Sequence, residues 1–155
     1  MLSLQEISDR LEIEQLLVDY GYLIDSGDFD GVDRLVAPDA FFDHSANGSV
    51  VGDYAAFKTF VSAALPKFPS YFHLMANIQI WVDGDTATSR CICFNPLVVA
   101  LEDGTRQVMF NGFWYRTKLV RLADGWRIRE RVQEACFRYN APPSLSLPSA
   151  GGQGR

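Results

Sequence analysis

The sequence predicts an α+β fold: a strongly curved antiparallel sheet wrapped around a long helix, leaving a conical cavity. Three observations lead there. Apolar residues recur at helical spacing through residues 4–24. The second half reads as strand after strand, with Asp83-Gly84, Asp103-Gly104 and Asp124-Gly125 at the turns. The helices come first, and helices segregated from an antiparallel sheet define the α+β class.

In the first helix, residues 4–24, the apolar positions are Leu4, Ile7, Leu11, Leu16, Leu17, Tyr20 and Leu23-Ile24, with Glu6, Asp9, Arg10, Glu12 and Glu14 between them. Ser26-Gly27-Asp28 stops it, and Asp28 can cap a short second helix over residues 29–36, which ends before Pro38. Residues 39–44 read as a short strand, and residues 45–52 as a loop of small residues. Asp53 then caps a helix to about Ala64, with Ala56, Phe57, Phe60, Val61 and Ala64 as its apolar stripe. The long strands follow at residues 71–82, 86–101, 106–122 and 126–139. Strands this long must bend, and bent sheets carry bulges, which break simple alternation. One domain over residues 1–140 accounts for the pattern. The tail, residues 141–155, is rich in Pro, Ser and Gly and is expected to be flexible or to cross to a neighbouring subunit.

Composition narrows the function classes. The 155 residues are 48% hydrophobic and 21% charged, as in an ordinary globular chain with one core. The formal net charge is -5, with no long run of Lys or Arg, so nucleic acid is not an expected partner. No apolar run approaches the roughly 20 residues of a membrane span, and the N-terminus lacks the basic and apolar regions of a signal peptide. The expectation is a cytoplasmic protein without a membrane partner. Cys91, Cys93 and Cys136 make an odd count, which argues against a disulfide framework. Cys91 and Cys93 fall on one strand face and read as small buried side chains rather than zinc ligands. No carboxylate or histidine cluster at metal-ligand spacing and no phosphate-binding glycine loop occurs, so neither metal nor cofactor is expected.

The candidate chemistry centres on Asp25, at the end of the first helix, and His73, near the start of a long strand. The chain has only two histidines. A carboxylate that orients an imidazole makes a general base that works near neutral pH. Taken alone, Asp25 also fits a helix-ending turn residue, and His73 a strand histidine satisfied by a backbone carbonyl.

These residues, with Ile13-Glu14-Gln15-Leu16-Leu17, Leu35-Val36-Ala37-Pro38-Asp39-Ala40 and Asp124-Gly125-Trp126-Arg127-Ile128, stand in an order that resembles the SnoaL-like branch of the nuclear transport factor 2-like superfamily. The resemblance covers residues 5–138 and is strongest to dehydratase-type members: scytalone dehydratase, bile-acid dehydratase and hexachlorocyclohexane dehydrochlorinase. It implies the α+β cone, and Asp25 with His73 as the base of an elimination. It also places Arg131 on an active-site arginine and Tyr20 among pocket-lining polar residues. The scytalone dehydratase pattern has Tyr directly before its Asp, where this chain has Ile24. His44 replaces a strand tyrosine of that pattern. His44 can donate a proton to a leaving hydroxyl, or be a surface residue. Arg131 can bind an oxyanion, or form a sheet-face salt bridge with Glu130 or Glu134. Asn77, Asn95 and Asn111 are further candidates for the lining.

The expected function is a cofactor-independent lyase or isomerase that removes a carbon-bound proton from a hydrophobic cyclic small molecule. The alternatives are a non-catalytic small subunit of a ring-hydroxylating dioxygenase and a hydrophobic-ligand binding protein. Apolar residues on both strand faces point to a homo-oligomer, and the resemblance favours a trimer over a dimer.

Overall fold

The structure, a computed structural model, describes residues 1–143 and Leu145. Its order is α1 (Leu4–Ser26), β1 (Val36–Asp43), β2 (Val51–Asp53), α2 (Tyr54–Ala64), β3 (Ser70–Tyr71), β4 (Leu74–Asp83), β5 (Thr86–Ala100), β6 (Arg106–Leu122) and β7 (Gly125–Tyr139). The sheet runs β2-β1-β7-β6-β5, with β3 and β4 both paired to β5. It curls without closing, and α1 packs inside the curl against β4 and β7.

Helix α1 starts where Ser3 accepts a hydrogen bond from the Glu6 N–H and stops at Gly27, whose φ of 74° only glycine adopts without strain. It buries Ile13, Leu16, Leu17, Tyr20, Leu23 and Ile24. The expected stripe is corrected at its first turns: Leu4, Ile7 and Leu11 are exposed. There it is Asp9 that is buried, held by Arg121 at 2.7 Å and by the Trp126 indole N–H at 3.2 Å. Burial of a charge is tolerated because both partners reach it.

The expected second helix is a 3-10 turn, Gly31–Leu35. Its N-cap position is Asp30 rather than the expected Asp28, although Asp28 accepts from the Gly31 N–H at 2.9 Å. Strand β1 begins earlier than expected, and it pairs parallel with β7, so the sheet is mixed rather than purely antiparallel. The loop after it contains another 3-10 turn, Ser45–Asn47, and the short edge strand β2. Asp53 caps α2 as expected, accepting from the Ala56 N–H at 2.8 Å. The first long strand divides into β3 and β4, with Phe72 and His73 between them.

Inward residues of β5 and β6 alternate regularly. Cys91 and Cys93 are buried on one face, opposite Tyr115 and Phe113. The outer face of the same strands carries Ile92, Phe94, Pro96, Phe110 and Trp114. Strand β7 is less regular. Its register against β6 slips between Glu130 and Ile128, leaving Arg129 unmatched, and again between Ala135 and Phe137, leaving Cys136 unmatched. Each slip is a β-bulge that reverses which residues point inward. Of the tail, Leu145 packs against Leu97, Val99 and Met109. Residue 144 and residues 146–155 lie outside the described part, and with them most of the expected tail. Among the described residues, no helix is long and apolar enough to cross a membrane.

Candidate functional site

Asp25 lies in the last turn of α1, and His73 on the short connection into β4. Three contacts hold that connection. The Phe72 N–H reaches the Pro96 carbonyl at 3.4 Å, the Asn95 amide donates to the Phe72 carbonyl at 2.8 Å, and the His73 N–H donates to Asp25 Oδ2 at 2.8 Å. Gly21, one turn before Asp25, lets the helix approach: a Cβ there would lie 3.6 Å from the His73 carbonyl oxygen.

The second carboxylate oxygen, Asp25 Oδ1, stands 2.6 Å from His73 Nδ1. A carboxylate only accepts hydrogen bonds, so this contact puts the imidazole proton on Nδ1 and leaves the lone pair on Nε2. The same carboxylate thus fixes both the backbone and the ring of one residue. The Tyr71 ring packs edge-on to the imidazole with centroids 6.2 Å apart.

His73 lines a cavity of about 170 Å³ inside the cone. Tyr20, His44, Asn95, Asn111, Tyr115 and Gln133 supply polar atoms to its wall. Ile24, Phe57, Phe60, Val61, Leu97 and Met109 make much of the rest.

His44 is buried rather than at the surface, packed between Phe42, Phe57 and Tyr115, and its Nε2 has no hydrogen-bond partner among the described residues. Burial, and then the charge of Arg131, hold the imidazole well below its ordinary pKa, so it is neutral at physiological pH. A neutral imidazole can share a hydrogen bond with a substrate oxygen, but it brings no positive charge.

Arg131 makes no sheet-face salt bridge. Glu130 pairs with Lys118 and Glu134 with Arg116 instead. Arg131 is fully buried, and its guanidinium carbon lies 3.9 Å from the Tyr20 ring centre and 4.0 Å from that of Tyr115. Among the described residues, none of its three side-chain nitrogens has a hydrogen-bond partner. Two tyrosine faces partly offset the charge by cation–π attraction. Burial pushes the Tyr20 phenol up to about 12 and that of Tyr115 well above its ordinary range, so both rings stay neutral.

Asn77 is not brought to the site. It is exposed, on a bulge of β4 with φ of 52°, and does not line the cavity. Asn95 and Asn111 are buried and do line it. Sequence reasoning missed Tyr115, Gln133 and Arg138. Alternation along the strand of residues 106–122 is enough to find Tyr115, but Arg138 turns inward only because of the bulge at Cys136. Among the described residues, no group of three or more His, Cys, Asp or Glu is placed to hold a metal ion.

A SnoaL-like domain profile matches residues 5–132. The chain belongs to the SnoaL-like family. Within the curated proteins, this SnoaL-like chain is 51% identical over 138 residues to Rv2910c of Mycobacterium tuberculosis, an uncharacterized protein, covering 89% of this chain and 92% of that one. Among solved structures it is similar to the Kfla4162 protein of Kribbella flavida, with TM-score 0.77 and 22% identity over 86% of this chain and 94% of the other. It is also similar to a protein of Novosphingobium aromaticivorans provisionally named a scytalone dehydratase, with TM-score 0.76 and 17% identity, over 88% and 89% of the two chains. These two likenesses show the fold.

Proposed function

We propose that this SnoaL-like protein is a cofactor-independent lyase or isomerase, with His73 as its general base and Asp25 as the group that orients it. The observation that carries the reading is the 2.6 Å contact of Asp25 with His73 Nδ1, on a ring that borders a largely apolar cavity.

In this reading a substrate carbon next to a carbonyl sits against Nε2. The C–H proton moves to Nε2, and the electron pair moves onto the carbonyl oxygen as an enolate. Asp25 stabilises the imidazolium, and the field of buried Arg131 stabilises the enolate. The proton then leaves Nε2 for a β-hydroxyl: the C–O bond breaks, water departs and a C=C bond remains. Without a leaving group, the proton returns to another carbon and the product is an isomer. His44 is a neutral hydrogen-bonding group for a substrate oxygen, not a cationic acid. The name given to the Novosphingobium protein agrees with this reaction class.

The test is proton exchange. Cyclic ketones with a β-hydroxyl or a β,γ double bond, incubated with the protein in D2O, are expected to take up deuterium or lose water. His73→Ala and Asp25→Asn should each slow this by about 10²–10⁴-fold. Unchanged rates in His73→Ala, or a ligand bound and recovered without deuterium, would remove the base and favour a binding protein.

A further inference from the structure

Both α-helices are used on the inner side of the sheet. Helix α1 packs against β4 and β7 inside the curl, and α2 covers β1 and β2 and lines the cavity with Phe57, Phe60 and Val61. The other side of the sheet carries a second apolar surface.

Asn95, Leu97, Met109 and Asn111 line the cavity, so alternation turns Phe94, Pro96 and Phe110 outward. Register then aligns two apolar rows across the sheet. One runs from Phe72 through Pro96 and Phe110 to Tyr139, the other from Leu74 through Phe94 and Gly112 to Phe137. The Phe94 and Phe110 rings stack with centroids 6.0 Å apart. Phe137 lies so close over Gly112 that a Cβ there would collide with its ring. Val98 and Val108 extend the patch on one side, Ile92 and Trp114 on the other. Among the described residues, neither row contains a charged side chain. The charges at the edge are already engaged: Arg116 pairs with Glu134 at 2.6 Å, and Arg90 lies over the Trp114 ring at 4.2 Å.

The apolar side chains are open to solvent, 48% for Phe72, 53% for Leu74, 40% for Val108, 44% for Phe137 and 70% for Tyr139. With large side chains at about 150–250 Å² each, the patch amounts to roughly 700 Å². The largest patch on an ordinary monomer is about 300–600 Å². Two such faces together bury roughly 1,400 Å², within the range of a stable dimer. The tail has little to cover the patch with. Its described part reaches the cavity side, where Leu145 packs against Leu97 and Met109, and of residues 146–155 only Leu147, Pro148 and Ala150 carry apolar side chains.

We infer that this face binds a second copy of the chain, face to face in a two-fold dimer. An isologous contact needs one surface, since each copy presents the same apolar rows to the other. Arg116 and Glu134 neutralise each other, so docking does not bury either as a lone charge, and the charge-free centre matches the apolar character of homodimer interfaces. A lipid surface would call for a basic margin, whereas this margin carries both signs and the chain has a formal net charge of -5. The inference is independent of the proposed chemistry, because no member of either row lines the cavity.

Sedimentation velocity on the full chain tests it. Interfaces of this size hold at micromolar concentration or tighter, so particles of twice the chain mass should dominate at about 50 µM. Leu74→Glu combined with Tyr139→Glu, and separately Val108→Glu, should each weaken association by about 10²-fold or more. Tyr22→Glu, on the exposed side of α1, should leave it unchanged. Circular dichroism and thermal melts establish that each variant folds. A wild type that stays monomeric, a trimer, a dimer that survives both sets of patch substitutions in folded protein, or dissociation by Tyr22→Glu would overturn the inference.

Discussion

Among the described residues, Arg131 is a buried cation without a counter-ion. Removing such a charge in favour of an apolar side chain of similar volume is often neutral or stabilising, because the desolvation cost disappears. Arg131→Met is therefore expected to melt at the wild-type temperature or above it, a change between zero and about 4 kcal/mol. Exchange activity should fall by about 10²–10³-fold, the usual loss when a preorganised charge stabiliser is removed. Parallel melting and rate measurements check this. A clear loss of stability would make the guanidinium structural. At this scale local sequence placed Asp25 at a helix end and His73 at a strand start but left turn and strand readings open; the family resemblance paired them, and the fold brings them to 2.6 Å. The state of His44 was not legible. Its neutrality comes from Phe42, Phe57, Tyr115 and Arg131, which only the fold brings around it.

Among the elements, legibility ended at the bulges. Alternation from Trp126 and Ile128, both buried, would turn Glu130 and Val132 inward. The unmatched Arg129 shifts the phase, so Arg131 and Gln133 are the buried ones. The unmatched Cys136 shifts it again and turns Arg138 inward. The bulge at Asn77 works in the other direction, placing an expected lining residue in solvent. Edge pairing was equally illegible. Nothing local to residues 36–43 says that β1 runs parallel to β7. The α1–β4 contact supports a prediction of its own. Gly21 lies inside the helix, and an added Cβ would meet its nearest neighbour at 3.6 Å, an ordinary contact. Gly21→Ala should stabilise the protein by about 0.5–1 kcal/mol through helix propensity, with the dyad undisturbed. Urea denaturation measures it, and destabilisation would mean that the helix and the His73 segment have no such room.

For the whole molecule, two buried groups shape the response to acid. His44 is held well below 6.5 in the fold, so the unfolded chain takes up a proton first, and stability falls as pH drops below about 6.5. Asp9 is lowered from 3.8 to about 2 by its bonds to Arg121, so its contribution is present above 3.8 and is lost as pH falls toward 2. Acid unfolding should therefore proceed in two stages. His44→Phe should flatten the stability profile between roughly pH 7 and 5, removing a slope of at most about 1.4 kcal/mol per pH unit. Denaturant titrations across that range decide it, and an unchanged slope would assign the loss to other groups. The parallel pairing of β1 with β7 also sets a schedule for assembly. Arg129 reaches back to Asp39, 90 positions earlier, and the same last strand delivers Arg131, Gln133 and Arg138 to the cavity. A chain emerging from the ribosome can join helix, histidine and hairpins early, but β1 must wait with an open edge until β7 arrives. Molecules cut short before residue 125 would hold the base without either arginine and with an unpaired edge at β1. For such chains, aggregation is the competing fate.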